Sequence, residues 1–286
     1  MTLRTLLVPI TDKTGLDALL KTAFGAATRF GSHVTGLFVR PDPRSAIPFV
    51  GEAMTADVIQ DLCDAAEREG RARADAAQAL FHELAGAHGL ASGDGGASGP
   101  GASWEEAVGM IADKVGRAAR LADLTVVAQP GETGEAQDGQ VFNDVLFRSG
   151  RPLLMAPASA SGFADRRVLV AWNGRAECAR TVAAALPVLA DADEVIIMTV
   201  GEEHPERPSL AALKGYLARH GIAATAEHRD AADRSVGEAV LAAVDEADAD
   251  LLVMGAYSHS RWREMIIGGV TRHAVQKTSV PIFMSH

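Results

Sequence analysis

The hydrophobic positions fall into short runs that do not alternate strictly with polar ones. Such runs occur near 5–10, 34–39, 102–105, 124–128 and 153–156. They recur at 167–172, 194–200, more weakly at 223–228, and again at 250–255 and 280–284. Near-continuous apolar runs of this length are the mark of parallel strands covered on both faces. Between them lie segments with helical spacing, at 175–190, 206–220, 234–247 and 263–277, and a long one at about 52–88. Strands alternating with helices predict a doubly wound α/β sheet.

The pattern repeats. TLLVPITD (5–12) corresponds to RVLVAWNG (167–174), RLADLTVV (120–127) to ADADLLVM (247–254), and GRPLLMAP (150–157) to SVPIFMSH (279–286). The blocks keep their order, and Asp123 precedes Pro152 by 29 positions where Asp250 precedes Pro281 by 31. The repeat predicts two tandem α/β domains, residues 1–158 and 166–286, joined by SASGFAD (159–165). Each is expected to be an open, doubly wound, Rossmann-like sheet of five parallel strands in the order 3-2-1-4-5. The two last strands would then be exposed edges, which proteins normally cover or pair. They are expected to face each other within one chain, as an intramolecular pseudo-dimer, with a homodimer left open. ASGDGGASGPGAS (91–103) reads as a Gly/Ser loop.

The chain of 286 residues is 48% hydrophobic and 22% charged, enough for two cores, and its net charge is −10. That sign argues against a general nucleic-acid partner. The segment MTLRTLLVPITD is too short for a signal h-region, and no stretch reaches the ~18 apolar residues of a membrane span, so a cytoplasmic location without a membrane partner is expected. Cys63 and Cys178, isolated from each other, suit a reducing compartment as small apolar residues.

The chemistry concentrates after the strand at 250–255, in GAYSHSRWREMIIGGVTRHAV. Gly255, then nine residues between Ser258 and Gly268, then Gly269, resembles the nucleotide-binding signature of the universal stress protein family: Gly, two residues, Gly, nine residues, Gly and Ser or Thr. Nearly the whole chain follows the layout of that family, many of whose members are tandem duplications. Ser258 replaces the second Gly and Gly269 replaces the Ser or Thr. The resemblance implies a stress-response protein that binds an adenine nucleotide, ATP or AMP, in its C-terminal copy. It would act as a regulator with an unknown protein partner rather than as an enzyme. An interaction module without nucleotide and a slow ATP hydrolase are the alternatives.

The same topology places ligands beyond the carboxyl ends of the first and fourth strands. Ala171, Trp172 and Asn173 follow the first strand of the second copy, and Val200 ends its second. Gly255 would let a sugar approach the backbone. Gly268, Gly269, Val270 and Thr271 would present a helix N-terminus to phosphate. Ser258 and His259 lie in the loop, and Arg261 either captures phosphate or belongs to a solvated loop face. Asn173, where nucleotide-binding relatives carry Asp, can both donate to and accept from a base edge. Trp172 is a pocket wall or a stacking surface.

No histidines stand in a helical i, i+4 pair with a carboxylate, so no protein-held metal is expected, although Mg2+ can accompany ATP. No G-x-S-x-G elbow is present. In the first copy that signature is absent, and Glu132, Glu135 and Asp138 would repel phosphate there.

Overall fold

The computed structural model describes residues 2–11, 15–44, 55–93, 100–131, 136–256 and 269–286. A single eleven-stranded sheet runs through it. In chain order its elements are β1 (Thr5–Ile10), α1 (Leu16–Phe30), β2 (His33–Arg40), α2 (Ala56–Ala87), β3 (Ala91–Ser92), β4 (Gly101–Val108), α3 (Ile111–Ala118), β5 (Leu124–Ala128), α4 (Ala136–Arg148) and β6 (Leu153–Ala156). The second half supplies β7 (Arg167–Ala171), α5 (Ala176–Asp191), β8 (Glu194–Val200), α6 (Leu210–Arg219), β9 (Ala224–Arg229), α7 (Val236–Glu246), β10 (Leu251–Gly255), α8 (Gly269–Lys277) and β11 (Ile282–Ser285).

The strand order is β3-β4-β2-β1-β5-β6-β11-β10-β7-β8-β9. Apart from β3, each half therefore shows the order 3-2-1-4-5, read inward from opposite ends. All pairs are parallel except β6 with β11, where Leu153, Leu154 and Met155 pair antiparallel with Met284, Phe283 and Ile282. Each last strand covers the other's open edge. The pairing also fixes direction: the carboxyl ends of β7 and β10 lie at the end of the molecule where β1 and β5 begin.

Helices cover both faces because the strands are apolar on both. α1, α2, α5 and α6 pack on one face around Leu20, Phe24, Phe81, Val170 and Leu213. α3, α4, α7 and α8 pack on the other around Phe142, Val145, Leu252 and Met284. The junction is tied down as well. Phe163 sits against Gly25 of α1, where a Cβ would come within 3.1 Å, and meets Phe30 edge-on. Arg29 donates to the buried carboxylate of Asp165 at 3.0 Å and to the carbonyl of Asp191 at 2.6 Å. Burial pushes the Asp165 carboxyl up, and Arg29 pulls against it.

Two expectations need correction, and a third reaches beyond the described residues. Residues 91–103 are not wholly loop: Ala91–Ser92 form a short edge strand on Gly101–Ala102. A Cβ on Gly101 would lie 3.1 Å from His33 Nδ1 and 3.3 Å from the Ala91 carbonyl, so a glycine permits that pairing. The helix expected from 206 begins at Leu210, behind Pro205 and Pro208, with Ser209 as its cap accepting from the Ala212 N–H. The helix expected from 263 is described only from Gly269; its first part lies outside the described residues. Among the described residues, no helix is long and apolar enough to cross a membrane.

Candidate functional site

The site is built where two strands leave the sheet on either side of its reversal point. β7 ends at Ala171, and the chain turns through Trp172, Asn173 and Gly174 into α5. The turn is held from three directions. Trp172 N–H donates to the Met198 carbonyl at 2.7 Å, and Thr199 Oγ1 donates to the Trp172 carbonyl at 3.0 Å. The indole Nε1 donates to the Pro208 carbonyl at 2.9 Å. Asn173 Oδ1 accepts the Arg175 N–H at 3.0 Å, closing an Asx turn. Gly174 has φ +68°, and a Cβ there would come within 2.7 Å of Arg207 Cβ, so only glycine serves this turn.

On the other side β10 ends at Gly255. A Cβ on it would stand 2.6 Å from the Cys178 nitrogen and 2.9 Å from Cys178 Sγ. The glycine is thus required by the first turn of α5, which lies directly against it. The expectation that its missing side chain makes room for a sugar is corrected: the space is taken by the helix. Cys178 forms part of the floor and donates to the Ala171 carbonyl at 3.7 Å. Burial pushes its thiol up, more than the N–H groups of Gly255 and Asn173 pull it down.

Between these walls lies a cleft of about 250 Å3. Of the sequence-expected residues, Ala171, Trp172, Asn173, Val200, Gly255, Val270 and Thr271 all line it. Trp172 is only 7% exposed and belongs to the core as much as to the wall. Asn173 is exposed, and its Nδ2 has no partner among the described residues. Gly269 opens α8 next to Val270 but does not line the cleft. Ser258, His259, Arg261 and Gly268 lie outside the described residues.

A model described as the universal stress protein family matches residues 165–286. These residues form a universal stress protein domain. A universal stress protein of Synechocystis is 29% identical over 172 residues, covering 56% of this chain and 56% of the relative, so the match spans little more than half that relative's length. The solved universal stress protein of Archaeoglobus fulgidus superimposes with a TM-score of 0.71 at 16% identity, over 100% of this chain and 99% of that one. A functionally uncharacterised protein of Pseudomonas aeruginosa superimposes at 0.57 and 15% identity, over 99% and 92%. At these identities the two structures establish the fold alone.

The universal stress protein domain brings more to its cleft than the sequence singled out. The segment after β8 supplies Glu202, Glu203, His204 and Arg207, and α7 supplies Val236 and Val240. Glu203 is tied down: its Oε1 accepts the Leu210 N–H at 2.6 Å at the start of α6 and lies 3.7 Å from His228 Nε2. The rule that ligands gather at strand exits applies to β8 as it does to β7, and it reaches past Val200 into this segment. Behind the far wall, Gly237 of α7 lets α8 approach, since a Cβ there would lie 2.9 Å from His273 Cβ. Among the described residues, no three His, Cys, Asp or Glu side chains form a group able to hold a metal.

Proposed function

We propose that this protein is a stress-response regulator whose universal stress protein domain binds an adenine nucleotide, ATP or AMP, in the cleft between β7, β10 and α8. Family membership of residues 165–286 supports the stress-response role. One observation carries the nucleotide: a polar amide on the β7 exit, Asn173, faces a cleft whose opposite wall is the first turn of α8. A base edge can use the Asn173 amide, and a phosphate suits the helix N-terminus. The 250 Å3 of the cleft lie just below the usual range for small-molecule sites, so the nucleoside would fill it and the phosphates would run out along α8. Gly269 offers no hydroxyl to a terminal phosphate, and little preference for ATP over AMP is expected.

Catalysis is not part of this reading. The one thiol in the cleft is buried and held protonated, which makes a poor nucleophile. Mg2+ would arrive with ATP. A second reading, an interaction module that takes no nucleotide, draws support from the carboxylates of Glu177, Glu202 and Glu203 around the cleft. Native mass spectrometry of the purified protein, followed by calorimetric titration with ATP, AMP and adenosine, separates the two. Retained or titratable adenine nucleotide with one site per chain is the expected result. A folded protein that binds none of the three at millimolar concentration overturns the proposal in favour of the interaction module.

A further inference from the structure

A second cluster of charged side chains lies outside this cleft. Between α3 and α4 a surface depression is lined by Asp113, Gly116, Arg117, Arg120 and Arg148. It sits at the end of the molecule that carries the cleft, because β6 and β11 run antiparallel. Arg120 Nε donates to the Arg148 carbonyl at 3.4 Å, and Arg151 Nε donates to the Arg120 carbonyl at 3.2 Å. Each of these guanidinium groups is anchored by its inner nitrogen, and its outer nitrogens have no hydrogen-bond partner among the described residues. Arg148 lies 3.4 Å from Asp144. Among the described residues, no carboxylate lies within ion-pair distance of Arg117, Arg120 or Arg151.

The duplicated fold supplies a control. By the repeat blocks, Arg117, Arg120 and Arg151 correspond to Val244, Ala247 and Val280 in the second half. The acid that this corner does need is present twice: Asp123 accepts the N–H groups of Arg4 and Thr5, and Asp250 accepts that of Arg167. The fold therefore keeps its aspartate and makes no demand for arginine at these three positions. Four guanidinium groups around two carboxylates, Asp113 and Asp144, leave a local excess of positive charge on a chain whose net charge is −10.

We propose that the depression between α3 and α4 is an anion site for an oligophosphate, two or more linked phosphoryl groups held by the forks of Arg117 and Arg120 with Arg148 and Arg151 beside them. Planar forks match phosphoryl oxygens in pairs, and several of them match a linked chain better than a single phosphate. Asp113 opposes the ligand from the same depression.

Pyrophosphate is the probe, titrated calorimetrically at low ionic strength into the full chain. The unsubstituted protein should bind it, more weakly as salt is added. Arg117→Gln with Arg120→Gln should weaken binding at least tenfold. Arg68→Gln with Arg219→Gln, which removes the same charge elsewhere, should leave it unchanged. Asp113→Asn should tighten binding about two- to fivefold. Gly269→Asp, which adds a charge at the nucleotide cleft, should spare it. No binding by the parent up to 10 mM, on the order of the weakest useful affinity, overturns the proposal. So does equal weakening in the two double variants, or loss in Gly269→Asp alone, which would put the anion in the cleft. Circular dichroism melting confirms that each variant is folded.

Discussion

The two halves share a strand order and differ at the point where that order reverses. In the second half the β7 exit presents Asn173, whose amide Nδ2 has no partner among the described residues, across from Val270 and Thr271 at the start of α8. In the first half the β1 exit presents Thr11, whose hydroxyl donates to Asp138 in the first turn of α4. A carboxylate there already occupies the helix N-terminus that an anion would use, and stabilises the helix as an anion would. The same backbone thus keeps one reversal point available and ties the other shut with its own side chains. The lesson is that topology supplies a place for a ligand, and two or three side chains decide whether it remains one.

The largest expected effect tests the difference directly. Gly269 opens α8, and a Cβ there meets nothing within 4 Å, so Gly269→Asp adds charge without a clash. It should favour the helix and weaken nucleotide on the order of 100-fold by repulsion at its N-terminus. Gly139→Asp in α4, equally unobstructed, should change nucleotide binding by less than twofold. Calorimetry on the two variants decides, and similar losses would end the distinction between the halves.

Stability sharpens the contrast next. Gly255 and Ala128 close the corresponding strands β10 and β5. Gly255→Ala must push its Cβ into the backbone of α5 and should cost about 2 kcal/mol, a factor of about 30 in the folding equilibrium. Ala128→Gly should cost less than about 1 kcal/mol. Denaturant unfolding measures both; a harmless Gly255→Ala would mean that α5 does not sit where it is described.

The cysteines give a smaller effect. Cys178 is buried with its thiol pushed up, while Cys63 on α2 is only half-buried. A raised thiol loses its reactive thiolate as pH falls below its new value, so at pH about 8 iodoacetamide should modify Cys178 at least tenfold more slowly than Cys63. Peptide mapping over time reads the two rates, and equal rates would show that the cleft floor is open to solvent. Smallest of all, Asn173→Ala should weaken nucleotide about five- to tenfold, one hydrogen bond of ordinary strength, while Thr11→Ala leaves affinity unchanged. An unaltered affinity in Asn173→Ala would remove the amide from the proposed contact.

Much of the fold was legible because buried parallel strands write themselves as apolar runs, and because the chain states its pattern twice. β3 was not legible: a two-residue strand of Ala91 and Ser92 is held by ladder hydrogen bonds that leave no trace in side-chain pattern. The start of α6 had its signals, two prolines and a Ser cap, but the apolar spacing on either side ran across them. The elements of the cleft could be placed from topology, which is why Asn173 and Thr271 both line it. The purpose of Gly255 could not, since a glycine says that something comes close without saying what. The wall after β8 escaped because Glu202 to Pro208 have no counterpart in the repeat.

The pairing of β6 with β11 also sets a timetable. A ribosome makes Leu153–Ala156 roughly 130 residues before Ile282–Ser285. At about 5–20 residues per second that is an interval of roughly 6–26 s. During it the first half can assemble β1, β2, β4 and β5 around α1 and α4, but the outer edge of β6 has no neighbour. Such an edge pairs with whatever strand is at hand. The ladder between β6 and β11 therefore forms only after that interval, and the nascent chain spends it with the outer edge of β6 uncovered.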